Sequence, residues 1–268
     1  MKIQKAKTAK WEKVGKGDWM LMSSLCFAMM RKGTLVGVLS LLASNASYAG
    51  DAVLAYYSST KSVQEREAVL KPEFSKAGLE LTIFAKFKEF QEEVKSKTPG
   101  FVLAPSEYQQ FNPEYEPVMR FKKDASDSFK YKFYALEEAA AGMDLTKAKA
   151  GMVEIVDREN LKDLIQKITG KSPKGLKSVT KPEDLFPLLV FKSADVIMVA
   201  PDDYESLKEK FTTKVAAIAE SSEVGYPQLY VKKGADAKKV VEALKAFDTE
   251  KLKKLGFTQI SEVVGGAK

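Results

Sequence analysis

The stretches LAPSEY (residues 103–108) and VAPDDY (residues 199–204) decide the fold of this 268-residue chain. Each has the form of the end of a buried strand, followed by Ala-Pro, a helix-capping residue, an acid and a tyrosine. Each also follows an amphipathic helical stretch, so the two copies occupy matching strand-to-helix positions. This internal repeat predicts two lobes of related architecture. Ordinary strand–cap–helix chemistry used twice is the alternative interpretation.

Short apolar runs alternate with amphipathic stretches on both sides of the repeat. The runs predict strands at residues 52–57, 79–85, 101–104, 131–136, 152–156, 195–200, 215–219 and 228–232. The amphipathic stretches predict helices, among them 61–76 with Ser59 or Thr60 as its cap, 87–97, 158–169 and 201–211. Residues 112–127 contain two prolines and predict an irregular connection. The alternation is typical of an α/β protein with mixed, mostly parallel sheets and flanking helices.

The basic excess of the chain lies in its first fifty residues. The whole chain has 43 Lys and Arg against 36 Asp and Glu, a net charge of +7. Residues 1–50 contain eight basic and two acidic residues, which leaves 35 basic and 34 acidic residues in the remainder. A nearly neutral domain without a basic stripe binds the phosphate backbone poorly, so the sequence predicts no nucleic-acid partner.

The same fifty residues contain the only cysteine, Cys26, and both tryptophans, Trp11 and Trp19. Histidine is absent from the whole sequence. The remainder of the chain therefore has neither a thiol nor an imidazole. This composition excludes disulfides, Cys/His metal sites and histidine-based triads there, and it predicts no metal and no cofactor.

Residues 30–49 have the three parts of a secretory signal peptide. A positive segment, Met30-Arg31-Lys32, precedes residues 33–46, which begin with an apolar run, and small residues that end at Ala49. The run is shorter than the ~20 apolar residues of a membrane span, so we expect cleavage near Ala49 and a periplasmic protein. Residues 1–29 are either a long positive region or lie upstream of a true start at Met30, and the second interpretation is favoured.

Three segments of the second half resemble a known family in their order and spacing. They are GMDLTKAKAGMVEIVD (142–157), EDLFPLLVFKSADVIMVA (183–200) and VAAIAESSEVGYPQLYVKK (215–233). With them, the chain resembles the type II periplasmic substrate-binding proteins of ABC transporters. It is most similar to the branch that binds phosphate, phosphite or phosphonate, over nearly all of residues 51–250.

The resemblance implies a Venus-flytrap fold, in which two α/β lobes joined by a two-strand hinge close on a ligand. Residues 50–127 and 216–268 would form one lobe and residues 128–215 the other, with residues 1–49 as the extension and removed leader. The ligand would lie in the cleft at the carboxyl ends of the strands, which is also the general rule for open α/β sheets.

The loops that would face this cleft supply the candidate ligand-binding residues Tyr57, Ser58, Ser59, Thr60, Ser106, Tyr108, Arg158 and Tyr226. Helix N-termini attract anions, and hydroxyl groups add donors. One loop departs from the family, because Asp157 and Glu159 stand where phosphonate binders have a Ser/Thr-rich turn. Their carboxylates compete with a bound anion for N–H donors. A plain helix cap at Ser106 and a solvated Arg158 are the alternative interpretations.

Together these features predict an exported, monomeric and non-catalytic solute-binding protein. It would capture a small ligand, with an oxyanion as the candidate, for an ABC transporter permease or a sensor. Membrane contact would occur only through the uncleaved leader. A ligand-free interaction module with the same fold is the alternative, and an exported hydrolase using carboxylates or Ser–Lys chemistry is a third hypothesis.

Overall fold

The computed structural model describes residues 51–263, so the predicted leader lies outside the described residues. The described chain forms two mixed sheets with helices packed on their faces. It passes from the first sheet to the second and then returns. We call the two halves built on these sheets lobe one and lobe two.

Lobe one contains strands from both ends of the described chain. They are β1 (Ala52–Ala55), β2 (Glu80–Ile83), β3 (Phe101–Ala104), β4 (Tyr115–Lys122), β10 (Gln228–Lys232) and β11 (Gln259–Glu262). Their order in the sheet is β2-β1-β3-β10-β4-β11. The first three are parallel, and the other pairings are antiparallel. The helices are α1 (Val63–Lys76), α2 (Phe87–Lys97), α3 (Tyr108–Phe111), α8 (Lys238–Lys245) and α9 (Thr249–Leu255).

Lobe two is built from the middle of the chain. Its strands are β5 (Ser128–Leu136), β6 (Lys149–Val153), β7 (Gly175–Val179), β8 (Val196–Val199) and β9 (Val215–Gly225). Their order is β7-β6-β8-β5-β9, with β7, β6 and β8 parallel and β5 antiparallel to both of its neighbours. The helices are α4 (Glu137–Ala140), α5 (Leu161–Thr169), α6 (Leu185–Val190) and α7 (Pro201–Leu207).

Alternation along β1 shows how the lobe-one sheet is buried on both faces. Val53 and Ala55 pack with α1 residues such as Leu70 on one face. Leu54 and Tyr56 pack on the other face, against the side chains of α2. Successive side chains of a strand point to opposite faces, so a continuous apolar run is what a sheet covered on both sides requires.

Helix α1 begins later than the sequence predicted. Its cap is Ser62, whose hydroxyl accepts from the Glu65 backbone N–H at 3.2 Å, while the Glu65 carboxylate accepts from the Ser62 N–H at 2.7 Å. This capping box satisfies two donors of the first turn. The prediction of Ser59 or Thr60 as the cap was wrong, and neither side chain is used to start the helix.

The prediction of an irregular connection at residues 112–127 was also wrong. It contains β4, an eight-residue strand inside the lobe-one sheet. Val118, Met119 and Phe121 are buried there. Pro117 is accommodated because the pairing of β4 with β10 shifts register between Leu229 and Tyr230, and an irregularity of this kind tolerates a missing N–H.

Two short crossings join the lobes, at residues 123–127 and 226–227. They lie side by side, because the Phe121 N–H donates to the Pro227 carbonyl at 3.1 Å and the Tyr226 N–H donates to the Asp127 carbonyl at 3.2 Å. Arg120 and Asp127 add an ion pair at 2.5 Å. The crossings thus form a narrow, hydrogen-bonded two-stranded connection.

Candidate ligand-binding cleft

A cleft of about 380 Å³ lies between the lobes. It opens where β1, β3 and β8 end, and both crossings border it. Lobe one contributes the loop that follows β1, and lobe two contributes the start of α7. The cleft therefore lies at the carboxyl ends of strands from both sheets, which is where open α/β proteins place ligands.

The loop after β1 forms one wall of the cleft with Tyr57, Ser58, Ser59 and Thr60. The Tyr57 hydroxyl and the Ser58 hydroxyl are buried without a hydrogen-bond partner among the described residues. Arg66 holds the loop from behind, because its guanidinium donates to the Tyr57 carbonyl at 2.9 Å and lies 4.9 Å from the centre of the Tyr57 ring. Burial raises the pKa of Tyr57 to about 12, so its hydroxyl remains protonated and can donate.

Five aromatic rings form a continuous wall beside the crossings. Tyr131 contacts Phe129 at 4.9 Å between ring centres, and Phe129 contacts Tyr226 at 5.1 Å. Tyr226 contacts Phe257 at 5.9 Å, and Phe257 contacts Tyr57 at 6.2 Å. All five residues line the cleft. We call this surface the aromatic wall.

Two buried acids, Glu107 and Asp203, also line the cleft, and neither was among the predicted site residues. Each is less than one-tenth exposed. Burial raises the pKa of Glu107 to about 7, and burial followed by repulsion from Asp202 raises the pKa of Asp203 to about 7. The signal for both was in the sequence, because they occupy the acid position of the internal repeat.

The other charges at the cleft are mostly paired. The Lys123 ammonium contacts the Asp202 carboxylate. Asp202 does not act as the helix cap that the sequence suggested, because α7 begins at Pro201 and Asp202 lies inside its first turn. Glu205 is exposed and pairs with Lys208, the residue that follows α7. Lys61 lines the cleft beside Gly256, at the loop that follows α9.

Five predicted site residues line this cleft: Tyr57, Ser58, Ser59, Thr60 and Tyr226. The structure places Ser106 in a separate interlobe groove, where its carbonyl accepts from the Tyr230 hydroxyl at 2.9 Å. It does not cap a helix, since α3 has no side-chain cap. Tyr108 is 1% exposed and packs among lobe-one aromatic rings, away from the cleft.

Arg158 also lies away from the cleft, with 77% of its side chain exposed. Its guanidinium donates to the Glu154 carboxylate at 2.8 Å, and the same carboxylate accepts from Ser178 at 2.6 Å. Asp157 pairs across the lobes with Lys95 at 3.6 Å. The loop that departs from the family pattern is thus occupied by structural ion pairs and does not face the cleft.

Direct hydrogen bonds also cross between the lobes. The Tyr56 hydroxyl donates to the Glu154 carbonyl at 2.5 Å in a buried position. The Lys167 ammonium donates to the Gln110 side chain at 2.6 Å. These contacts show a closed arrangement of the lobes.

Among residues 51–263, no helix is both long and apolar enough to cross a bilayer, and no group of acids forms a metal-ligand cluster. No protein-family model matches the chain, and no curated protein is significantly similar to it in sequence.

Solved structures are nevertheless similar. A binding protein component of an ABC phosphonate transporter from Pseudomonas aeruginosa has a TM-score of 0.54 and 12% identity, covering 80% of this chain and 82% of that one. A Xanthomonas citri protein bound to ATP has a TM-score of 0.58 and 12% identity, covering 80% and 92%. A histidine kinase sensor domain similar to periplasmic binding proteins has a TM-score of 0.50 and 17% identity, covering 78% and 92%.

These similarities and the two mixed sheets define the fold. It is the two-lobed Venus-flytrap fold of type II periplasmic binding proteins, as the resemblance implied. The prediction of an α/β protein with two lobes and flanking helices is confirmed.

Proposed function

We propose that this protein is an exported, non-catalytic solute-binding protein that captures one small molecule in the interlobe cleft for a membrane transporter or sensor. The observation that carries the proposal is a set of polar atoms in cleft residues without partners among the described residues: Tyr57 Oη, Ser58 Oγ and Glu107 Oε1. A buried polar atom left without a partner costs about 1–3 kcal/mol. A ligand with complementary groups would remove that cost on binding.

Export and the choice of partner rest on separate observations. The signal-peptide pattern at residues 30–49 supports a periplasmic location. The solved structures with this fold include one named as a transporter component and one named as a sensor domain, so both kinds of partner are proposed.

A thermal-shift screen of small metabolites of positive, negative and zero charge tests the proposal. A true ligand at 100 times its Kd stabilises the folded state by about 2.7 kcal/mol, which raises the Tm of a protein of this size by roughly 5–10 °C. The variant Ser59→Trp fills the cleft and should lose the shift. Ser96→Trp, on the exposed face of α2, is the matched control and should keep it.

A screen in which no compound raises the Tm would contradict the proposal and favour the ligand-free interaction module. Equal shifts in the wild type and in Ser59→Trp would show that binding occurs outside the cleft.

A further inference from the structure

The internal repeat delivers one acid from each lobe to the cleft. Glu107 follows β3 in lobe one, and Asp203 follows β8 in lobe two, at the same position of the two copies. Both are buried and both line the cleft. Asp203 and Tyr131 also line a small cavity together with Ser58. Burial raises the pKa of Tyr131, and the charges of Glu107 and Asp203 raise it further, so negative charge from both acids acts on that side chain.

Neither acid has a cationic partner in the part of the chain that the structure describes. Among the ion pairs of residues 51–263, none includes Glu107 or Asp203, and Glu107 Oε1 accepts no hydrogen bond. Protein interiors normally pair a buried carboxylate with a positive charge, because an unpaired one loses its hydration without compensation.

The groups that act on these two carboxyl groups are mostly acidic or neutral. Burial raises the pKa of Asp203, and the charges of Asp202 and Glu183 raise it further, whereas the Thr60 backbone N–H lowers it. Burial raises the pKa of Glu107, whereas Ser106 and the Lys167 ammonium lower it. Only Lys167 is basic, and its ammonium already donates to Gln110.

The basic groups near the cleft lie elsewhere. Lys123 is paired with Asp202, and Lys61 lies beside Gly256. Arg66 lies behind the Tyr57 ring and is engaged by the Tyr57 carbonyl. The end of the cleft at Tyr131 is therefore acidic, and it is also where the aromatic wall begins.

We propose that this end of the cleft binds a ligand through an organic ammonium group, held between the Glu107 and Asp203 carboxylates and against the rings of Tyr131 and Phe129. The inference rests on the proposed solute-binding function and names its ligand class. A cation gains from the two carboxylates and from the negative faces of the aromatic rings. An oxyanion, the candidate ligand from the family resemblance, would instead be repelled by both carboxylates.

Matched probes separate charge from shape. Choline is compared with its neutral carbon isostere 3,3-dimethylbutan-1-ol, and 2-phenylethylamine is compared with 2-phenylethanol. Methylphosphonate represents the oxyanion class. Calorimetric titration at pH 8 should show at least one of the two ammonium probes binding at least tenfold more tightly than its neutral isostere and than methylphosphonate.

Variants then locate the ammonium group. Asp203→Asn keeps the size and an acceptor oxygen of the side chain but removes the charge, and we expect at least tenfold weaker binding of the ammonium probe. Glu107→Gln should weaken binding in the same direction. Glu209→Gln changes an exposed acid that does not line the cleft, and it should leave the affinity unchanged.

The outcomes distinguish the two proposals. Methylphosphonate or a neutral isostere binding as tightly as the ammonium probes would overturn the ligand class and leave solute binding intact. Ammonium binding that is insensitive to both acid substitutions would overturn the placement. If no probe binds, the ligand class is overturned, and failure of the wider metabolite screen as well would overturn the solute-binding function.

Discussion

Replacing Asp203 by asparagine should change how the stability of this protein depends on pH. Burial, followed by repulsion from Asp202, raises the pKa of this carboxyl group from 3.8 to about 7. The folded protein therefore holds a proton between about pH 4 and pH 7 that the unfolded chain releases. Between pH 4 and pH 7 the unfolded state binds fewer protons than the folded state, so the free energy of unfolding falls as pH rises through that window. Above pH 7 the carboxyl group is ionised in both states, and its contribution becomes level.

The size of the effect follows from the shift. Each pKa unit corresponds to 1.36 kcal/mol, so a shift of about three units costs roughly 4 kcal/mol when the carboxyl group is fully ionised. Between pH 5 and pH 8, titration of this one group lowers the free energy of unfolding by roughly 2.5 kcal/mol. Asparagine has no ionisable proton and removes that loss.

Urea unfolding of the wild type and Asp203→Asn at pH 5 and pH 8 measures the effect. The drop in unfolding free energy on going from pH 5 to pH 8 should be smaller in the variant by roughly 2.5 kcal/mol, although Glu107 still titrates in both proteins. Glu209→Gln should keep the wild-type drop. Equal drops in wild type and Asp203→Asn would refute the reasoning.

Three other substitutions test the contacts between the lobes and along the aromatic wall. Tyr56→Phe removes the bond to the Glu154 carbonyl and should lower the unfolding free energy by about 1 kcal/mol in urea titrations; an unchanged value would contradict the role of this bond. Gly225→Ala would place its Cβ 2.9 Å from the Ser106 Cβ, so the Tm should fall as expected for an overpacking cost of about 1–3 kcal/mol. Adding Ser106→Gly should restore it, and a double variant as unstable as Gly225→Ala would rule out this clash as the cause. Phe129→Leu should weaken binding of the ammonium probe several-fold and binding of its neutral isostere less, since only the cation interacts with the ring face. Equal losses of affinity in calorimetry would show a purely apolar role for Phe129.

Much of the fold was predictable because its strands are buried on both faces. Residues 101–104 form an uninterrupted apolar run, and the structure has β3 with these bounds. The strands that the sequence did not reveal lie at sheet edges or contain proline. β7 and β11 are edge strands that are only partly buried, so their apolar pattern is weak, and β4 contains Pro117 at a register shift.

The cleft was only partly predictable for a related reason. Local position placed Tyr57 and the three hydroxyl residues after it at the end of β1, and these residues line the cleft. Local position also suggested Tyr108 and Arg158, but tertiary packing buries one in the lobe-one core and pairs the other with Glu154. The repeat marked Asp203, yet its burial depends on tertiary packing, which a local pattern does not contain.

A crystal structure of the protein with the tightest compound from the metabolite screen tests the central claim most directly. We expect one molecule in the interlobe cleft, in contact with Tyr57 and Ser58, with a positively charged nitrogen beside Asp203. A compound bound outside the cleft, with Tyr57 and Ser58 still without partners, would contradict it.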